Sequence, residues 1–322
     1  MYNTHRFDAA IKDLKYIMEN FIHHFSVSGV ETYIFLPPLI MFIVSMLTST
    51  AGVSGAFILL PFQMSVLGYT SPGVSATNFV YNIVSIPSGV FHHIQRGRLS
   101  WTLFSIIVLG TLPGVFIGYY IRMVYLPDPA HFRLFVGLVL IYLGIRTLKS
   151  AYKDFINTGT DKNNHKAETV INREITNETF GIFRTSIVFD GKTYSFSTPL
   201  VLFVSAAVGI VGGAYGIGGG AIMAPFCISV LELPVYIVSG AALFSTWTTS
   251  VIAVMFYAFV SIAGQAPASP DWFLGILFGL GGMGGIYVGA RIQKWIPSTI
   301  IKLILGIVIF TIAVRYILLS AT

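Results

Sequence analysis

Apolar residues are concentrated in ten segments that fall into two groups of five. The first group covers residues 34–49, 53–67, 74–94, 100–121 and 131–148, and the second covers 199–214, 218–231, 237–262, 271–290 and 298–319. The first two segments of each group have about 15 residues, whereas a helix that spans a membrane needs about 20. Short neighbouring segments joined by Gly, Ser and Thr favour a re-entrant hairpin, which enters the membrane and returns to the same side.

The two groups repeat one another in sequence. When residues 52–75 are aligned with 216–239, at an offset of 164, ten of the 24 positions are identical, including Gly55/Gly219 and Pro61/Pro225. A hairpin followed by three spans leaves the chain on the opposite face of the membrane. The second repeat would therefore enter from the other side. We predict an all-α integral membrane protein with an inverted repeat of five apolar segments each, a re-entrant hairpin plus three transmembrane helices.

The other parts of the chain flank or join these repeats. Residues 8–25 place apolar residues at helical spacing opposite charged ones, which predicts an amphipathic helix on the membrane surface. In the linker, alternation on both sides of Asp190-Gly191 predicts a β-hairpin over 184–196. The predicted divisions are an amphipathic N-terminal segment (1–30), transmembrane repeat 1 (31–150), a linker loop (151–197) and transmembrane repeat 2 (198–322).

Composition places the chain in the cell membrane as a multi-pass protein. Of its 322 residues, 55% are hydrophobic and 10% are charged, against about 25% charged in a typical soluble domain. The net charge of +6 does not indicate nucleic acid, because the basic residues flank apolar segments. Thirteen of the 19 Lys and Arg residues would lie on the face that carries the linker. This bias predicts a cytoplasmic linker and both termini outside.

The two hairpin tips are the first candidates for binding. The first tip, residues 49–55, is STAGVSG, and the second tip, residues 212–220, is GGAYGIGGG. A helix would begin after each tip, and helix N-termini carry unpaired N–H groups and the positive end of the dipole, which suit anions. The glycines could instead serve only close packing of helices. The candidate substrate-binding residues at the tips are Thr50, Gly52, Ser54, Gly55, Gly216, Gly218, Gly219 and Gly220.

A polar stripe follows each hairpin. Ser75, Asn78, Asn82 and Ser85 share one helical face, and at the offset of 164 they correspond to Ser239, Ala242, Thr246 and Thr249. Asn is costly in hydrocarbon unless it is paired, and it usually faces the interior of a bundle. The stripes could line a path or bond helices to each other. Asn78, Asn82, Ser245 and Thr246 complete the candidate substrate-binding set.

Two other features favour a structural role. Glycines recur at every fourth position at Gly110, Gly114 and Gly118, and again at Gly281, Gly285 and Gly289, a pattern typical of close contact between membrane helices. The single cysteine, Cys227, follows Pro225 in the second hairpin, where a buried thiol usually acts as a small hydrophobic group.

The sequence does not indicate catalysis. No Asp or Glu falls in the interior of an apolar segment, so a buried carboxylate for ion coupling has no candidate. No catalytic constellation, metal-ligand pattern or cofactor motif is present, and we predict a protein that is not an enzyme and uses neither metal nor cofactor. A membrane receptor or scaffold that signals through the 151–198 loop is the alternative from another class. The oligomeric state stays open, a homo-oligomer included.

The hairpins resemble the sulfite exporter TauE/SafE family of membrane permeases. The stretches that carry the resemblance are AGVSGAFILLPFQMSVLG (51–68), VSATNF (74–79), YGIGGGAIMAPFCISVLELP (215–234) and VSGAALFSTW (238–247). Ser54 and Ala56 stand where the family more often has glycine. The resemblance implies transport of a small anion across the lipid bilayer: sulfite, thiosulfate, a sulfonate or another organic acid. It does not select the substrate or the direction of transport.

Overall fold

The computed structural model of the chain describes residues 21–50, 54–95, 97, 99–160, 175–262, 264–292 and 298–320. These residues are mostly helical, as predicted. The helices are α1 (Leu36–Thr50), α2 (Ala56–Ser65), α3 (Gly73–Ser85), α4 (Pro87–Gln95), α5 (Trp101–Val124), α6 (Pro129–Thr160), α7 (Thr198–Tyr215), α8 (Gly219–Ser229), α9 (Val235–Phe259), α10 (Trp272–Ile292) and α11 (Ser298–Ser320). The strands are β1 (Ile22–Phe25), β2 (Val30–Tyr33), β3 (Ile175–Thr179), β4 (Arg184–Phe189) and β5 (Lys192–Ser197), so the protein is not all-α.

Among the described residues, six helices are long and apolar enough to cross a membrane: α5, α6, α7, α9, α10 and α11. Two of the predicted segments differ from expectation. The segment 74–94 is broken into α3 and α4 at Pro87, whose ring cannot supply the N–H that would continue the hydrogen-bond ladder. The segment 199–214, predicted as a short hairpin arm, forms the 18-residue α7 and is long enough to span.

Each repeat packs its first apolar segment against the fourth apolar segment of the other repeat. Glycines of α5 lie against α7, and glycines of α10 lie against α1. A Cβ placed on Gly114 would lie 2.2 Å from the Ala206 carbonyl oxygen, and one on Gly285 would lie 2.3 Å from the Phe42 carbonyl oxygen. Ala206 and Phe42 are themselves equivalent at the offset of 164. The predicted close contact between glycine-rich helices is confirmed at both places.

The first sheet is an antiparallel hairpin of β1 and β2. Residues 22–25 therefore form a strand and not the end of the predicted amphipathic helix, whose residues 8–20 lie outside the described part of the chain. The reason is local: Gly29 has a positive φ of 70° and closes a turn that pairs buried Phe25 with buried Val30. The turn is fixed to the start of α10, because the Ser28 N–H and Oγ donate to Asp271 Oδ2 at 3.1 and 2.8 Å.

The second sheet has the order β3-β4-β5, with both pairs antiparallel. β4 and β5 form a hairpin whose turn residues Asp190 and Gly191 have φ of 55° and 71°. Two successive positive φ values match the twist of the strands that they join. The same residues in which alternation predicts a hairpin are thus paired in the structure.

The second sheet contacts the helices of both repeats. Glu178 Oε2 accepts hydrogen bonds from the N–H and Oγ1 of Thr102, at 2.9 and 2.7 Å, and so caps the first turn of α5. The apolar face of the second sheet, which includes Ile187, packs in one buried cluster with Met223 and Cys227 of α8. The linker is therefore attached to α5 and to the helix that follows the second tip.

Candidate functional site

The second tip joins α7 to α8 through two glycines with positive φ. Gly216 has φ 92° and Gly218 has φ 78°, conformations that side chains with a Cβ rarely adopt. α7 ends at Tyr215 and α8 begins at Gly219, so the direction of the chain changes within three residues. At the first tip, α1 ends at Thr50 and α2 begins at Ala56. Gly52 and the side chain of Thr50 lie outside the described residues.

Asn78 of α3 joins the two hairpins. Its Nδ2 donates to the Ala56 carbonyl at the start of α2 and to the Gly216 carbonyl of the second tip, both at 3.1 Å. Both ends of this link are backbone atoms, so the contact fixes the two turns and not merely two side chains. Two of the predicted site regions, far apart in sequence, therefore meet at a predicted site residue.

Asn82, four residues further along α3, also binds the second tip. Its Nδ2 donates to the Ile217 carbonyl at 3.1 Å and lies 3.3 Å from Ser250 Oγ of α9. Asn78 and Asn82 are both fully buried. The Oδ1 atoms of both side chains have no hydrogen-bond partner in the described structure. Each amide thus donates one hydrogen bond to the second tip and leaves its own acceptor without a partner.

The N-terminus of α8 has unpaired hydrogen-bond donors, whereas the two amides have unpaired acceptors. Within the described ranges, the N–H groups of Gly218, Gly219 and Gly220 find no hydrogen-bond acceptor. At the first tip, by contrast, Ser54 Oγ accepts from the Ala56 N–H at 3.3 Å. The second tip therefore presents unpaired backbone donors, and the two amides that bond its carbonyls carry unpaired acceptors.

Glycine is also required here for packing, which was the alternative interpretation. A Cβ on Gly219 would lie 2.1 Å from Thr111 Cγ2 of α5, and one on Gly220 would lie 2.0 Å from the Ala242 carbonyl oxygen of α9. These distances are far shorter than any real Cβ contact. The interpretations are compatible, because close approach of α5 and α9 is what encloses the N-terminus of α8.

The three remaining predicted residues differ in their surroundings. Thr246 borders the second tip, since a Cβ on Gly218 would lie 2.9 Å from its Cγ2. Ser245 is buried, but its Oγ donates to the Ala241 carbonyl of its own helix at 2.6 Å. No described contact brings Ser245 to the tip. Gly55, at the first tip, lies beneath Tyr81, whose hydroxyl would be 2.6 Å from an added Cβ.

Two tyrosines at this site were not predicted. The Tyr215 hydroxyl donates to the Phe57 carbonyl at 2.8 Å, and the Tyr257 hydroxyl donates to the Gly213 carbonyl at 2.9 Å. Tyr215 could have been found, because it is the one large side chain inside the glycine-rich second tip. Tyr257 carries no such signal, since it lies among apolar residues at the end of α9.

Two buried charged residues were also missed, because they stand at the ends of apolar segments. Arg122, in the last turn of α5, is fully buried, with its guanidinium 3.6 Å from the centre of the Phe132 ring and bonded to the Leu126 carbonyl. Asp271 is nearly buried, and its N–H donates to Thr77 Oγ1 at 2.9 Å. Tyr69 lies beside this threonine, and burial raises the pKa of its hydroxyl to about 12. These residues support the end of the bundle and do not contact Asn78 or Asn82.

The geometry defines a multi-pass membrane protein in which the start of α2 and the second tip meet at a buried, uncharged polar cluster. The part of the chain that the structure describes holds no group of three or more His, Cys, Asp or Glu side chains that could bind a metal ion.

Comparison with known proteins identifies the family. The chain belongs to the Sulfite exporter TauE/SafE family, whose pattern it matches over residues 38–316. It is 22% identical over 278 residues to a protein of Bacillus subtilis (strain 168) called "Probable membrane transporter protein YunE", a match that covers 84% of this chain and 92% of that protein. A "Probable membrane transporter protein" of Xylella fastidiosa (strain 9a5c) is 22% identical, over 82% of this chain and 87% of that protein. No solved structure matches. The family is one of membrane transporters, so a small-molecule substrate and a lipid environment follow for this chain.

Proposed function

We propose that the protein is a permease for small sulfur-containing oxyanions such as sulfite, which bind at the second tip. The observation that carries the proposal is that Asn78 bonds both the start of α2 and Gly216 of the second tip, and that the N–H groups of Gly218, Gly219 and Gly220 in the same tip are open. Backbone N–H groups at a helix N-terminus bind anions without a charged side chain, because the helix dipole adds to the hydrogen bonds.

The inverted repeat is part of this proposal. Parity of the spans predicts it, and the equivalent packing of α5 on α7 and of α10 on α1 supports it. A pseudo-two-fold axis in the membrane plane would bring the N-termini of α2 and α8 toward the midplane from opposite faces. In this arrangement the linker 151–197 is cytoplasmic and both termini are outside, as the bias of Lys and Arg favours.

The roles of the site residues follow from their contacts. The N–H groups of Gly218, Gly219 and Gly220 would hold the anion. Asn78 and Asn82 would hold the second tip in place through their Nδ2 atoms and line the site with their Oδ1 atoms. Thr246 would border the site. Ser54 already occupies the first N–H of α2, so the first tip contributes less.

The experiment is uptake of radiolabelled sulfite into proteoliposomes, with unlabelled thiosulfate, sulfate, sulfoacetate and acetate as competitors. We expect saturable uptake that sulfur oxyanions inhibit. Folded protein that takes up none of these anions would contradict the proposal, and binding without uptake would support the receptor instead.

A matched pair of variants tests the site. Asn82→Leu removes a buried amide that bonds the second tip, whereas Gln63→Leu removes a buried amide of α2 whose side chain has no hydrogen-bond partner in the described structure. We expect uptake to fall at least tenfold in the first variant only. Equal loss in both would show that the effect comes from helix packing and not from the tip.

A further inference from the structure

The open polar groups at the second tip are of two opposite kinds. The N–H groups of Gly218, Gly219 and Gly220 are donors without an acceptor, and the Oδ1 atoms of Asn78 and Asn82 are acceptors without a donor. Buried polar groups in folded proteins are nearly always paired, so both sets require an explanation.

The orientation of the two amides is determined by their neighbours. The Nδ2 of Asn78 faces the carbonyl oxygens of Ala56 and Gly216, and the Nδ2 of Asn82 faces that of Ile217, each at 3.1 Å. A flipped amide would set oxygen against oxygen in all three contacts. The unpaired atoms are therefore oxygens, which repel the lone pairs of an anion.

A fully ionised oxyanion satisfies only half of this site. Its oxygens would accept from the glycine N–H groups, but they would leave the Asn oxygens without a donor. A cation would satisfy the Asn oxygens and oppose the N–H groups. A ligand that carries both an ionised oxygen and an O–H group satisfies both sets.

Resting on the proposed function, we infer that the site takes a singly protonated oxyanion, of which hydrogen sulfite is an example. Its ionised oxygens accept from Gly218, Gly219 and Gly220, and its proton lies toward Asn78 Oδ1 or Asn82 Oδ1. The permease then selects the monoanion over the dianion, without a buried carboxylate or a lysine.

In this inference, the proton that Asn78 Oδ1 or Asn82 Oδ1 accepts comes from the ligand and not from a neighbouring side chain. The buried tyrosine hydroxyls on α3, α7 and α9 are those of Tyr81, Tyr215 and Tyr257, and each is bonded to a neighbouring oxygen atom. Asp271, before α10, bonds Thr77 of α3 through its N–H, and Arg122, on α5, bonds the Thr70 carbonyl before α3; neither bonds to Asn78 or Asn82. Among the described residues of α2 there is no charged side chain.

The test is the pH dependence of the KM for sulfite in proteoliposomes, with equal pH inside and outside and an ionophore present. Above the second ionisation of sulfite, the singly protonated fraction falls about tenfold for each pH unit. We expect the KM for total sulfite to rise by the same factor, while the KM for hydrogen sulfite stays constant. Methanesulfonate, a monoanion of similar shape without an ionisable proton, should inhibit weakly and equally at every pH.

Two variants assign the effect to the amide oxygens. Asn78→Ala and Asn82→Thr introduce the residues that the second repeat has at the equivalent positions, Ala242 and Thr246. We expect each variant, checked for folding by thermal unfolding, to take up sulfite more slowly and to lose at least half of the pH dependence. A variant with the full wild-type dependence would overturn the assignment to its oxygen.

The outcomes separate the two proposals. A KM for total sulfite that stays constant or falls with rising pH would overturn this inference and indicate that buried water satisfies the Asn oxygens, while the permease function would stand. No uptake at any pH by folded protein would overturn the proposed function, and this inference with it. Inhibition by methanesulfonate that weakens in parallel with sulfite uptake would place the titration in the protein and also overturn the inference.

Discussion

The two tips occupy equivalent places in the two repeats, yet they are filled in opposite ways. At the first tip, the hydroxyl of Tyr81 lies over Gly55 and bonds to Ser45 Oγ at 2.9 Å. At the second tip, the position of Tyr81 is taken by Ser245, and Thr111 of α5 lies against Gly219 instead. The first repeat thus covers the start of its hairpin helix with a long side chain of its own. The second repeat has no such side chain of its own there, and its start is enclosed by Thr111 of α5 and by the backbone of α9 at Ala242.

On the proposed function, this difference lets a duplicated fold keep one binding end and close the other. Ser54 and Ala56 in the first repeat correspond to Gly218 and Gly220 in the second. Each change adds a side chain where the second tip has none. Substitutions that make one tip more like the other should therefore have unequal costs.

The largest effect is expected for Gly220→Ala, which gives the second tip the residue of the first. The added Cβ would lie 2.0 Å from the Ala242 carbonyl oxygen, a backbone atom that cannot move aside. We expect destabilisation at or above the upper end of the usual overpacking cost of about 1–3 kcal/mol, and loss of uptake. Thermal unfolding in detergent and proteoliposome uptake measure both. The control is Ala56→Gly, which should fold; equal unfolding temperatures for the two variants would contradict the comparison.

A smaller effect is expected for Gly219→Ala. Here the obstacle is the side chain of Thr111, with Cγ2 at 2.1 Å and Cβ at 2.8 Å from the new atom. Because a β-branched side chain has few rotamers, we expect a cost within about 1–3 kcal/mol. Adding Thr111→Ala should restore part of the lost stability, since it removes the nearer atom. A double variant no more stable than Gly219→Ala would show that the strain lies elsewhere.

Gly55→Ala should cost least among the glycine substitutions. The atom nearest to the new Cβ, at 2.6 Å, is the end of the Tyr81 side chain, which can shift. The loss is then one hydrogen bond to Ser45, or about 0.5–1.5 kcal/mol. Tyr81→Phe removes the hydroxyl, and in that background Gly55→Ala should be close to neutral by thermal unfolding. A cost that persists would place the clash at Ser45 Oγ, 3.0 Å away, or at Met41 Cε, 3.3 Å away.

The smallest effect is expected at Cys227, which corresponds to Gln63 of the first repeat. Cys227 is fully buried in the apolar cluster shared by α8 and the second sheet. We expect Cys227→Ala to change uptake less than twofold, because the thiol acts as a small hydrophobic group. A maleimide should label it only after denaturation. Rapid labelling of the folded protein would mean that α8 separates from the sheet.

The sequence predicted those features that depend on local pattern. The ten apolar segments correspond to the helices within a few residues, apart from the break between Ser85 and Pro87 and the extension of α6 to Thr160, and the glycine contacts of α5 and α10 follow from spacing alone. Asn78 was singled out as polar in an apolar helix, but its two carbonyl partners, 22 and 138 residues away, could not be read from one helix. Strand β1 was missed because apolar spacing at three and four residues continues into it from the preceding segment.

The exchange of first helices between repeats has a consequence for how the protein is made. α1 leaves the ribosome early, but its packing partner α10 is not complete until residue 292. The side of α1 that contacts the glycines of α10 therefore lacks its packing partner while more than half of the chain is synthesised. α7, by contrast, follows its partner α5 and can dock as it is inserted. A chain that stops after residue 150 would thus lack the partner of its first helix, so the first repeat is an incomplete folding unit and the two halves mature together.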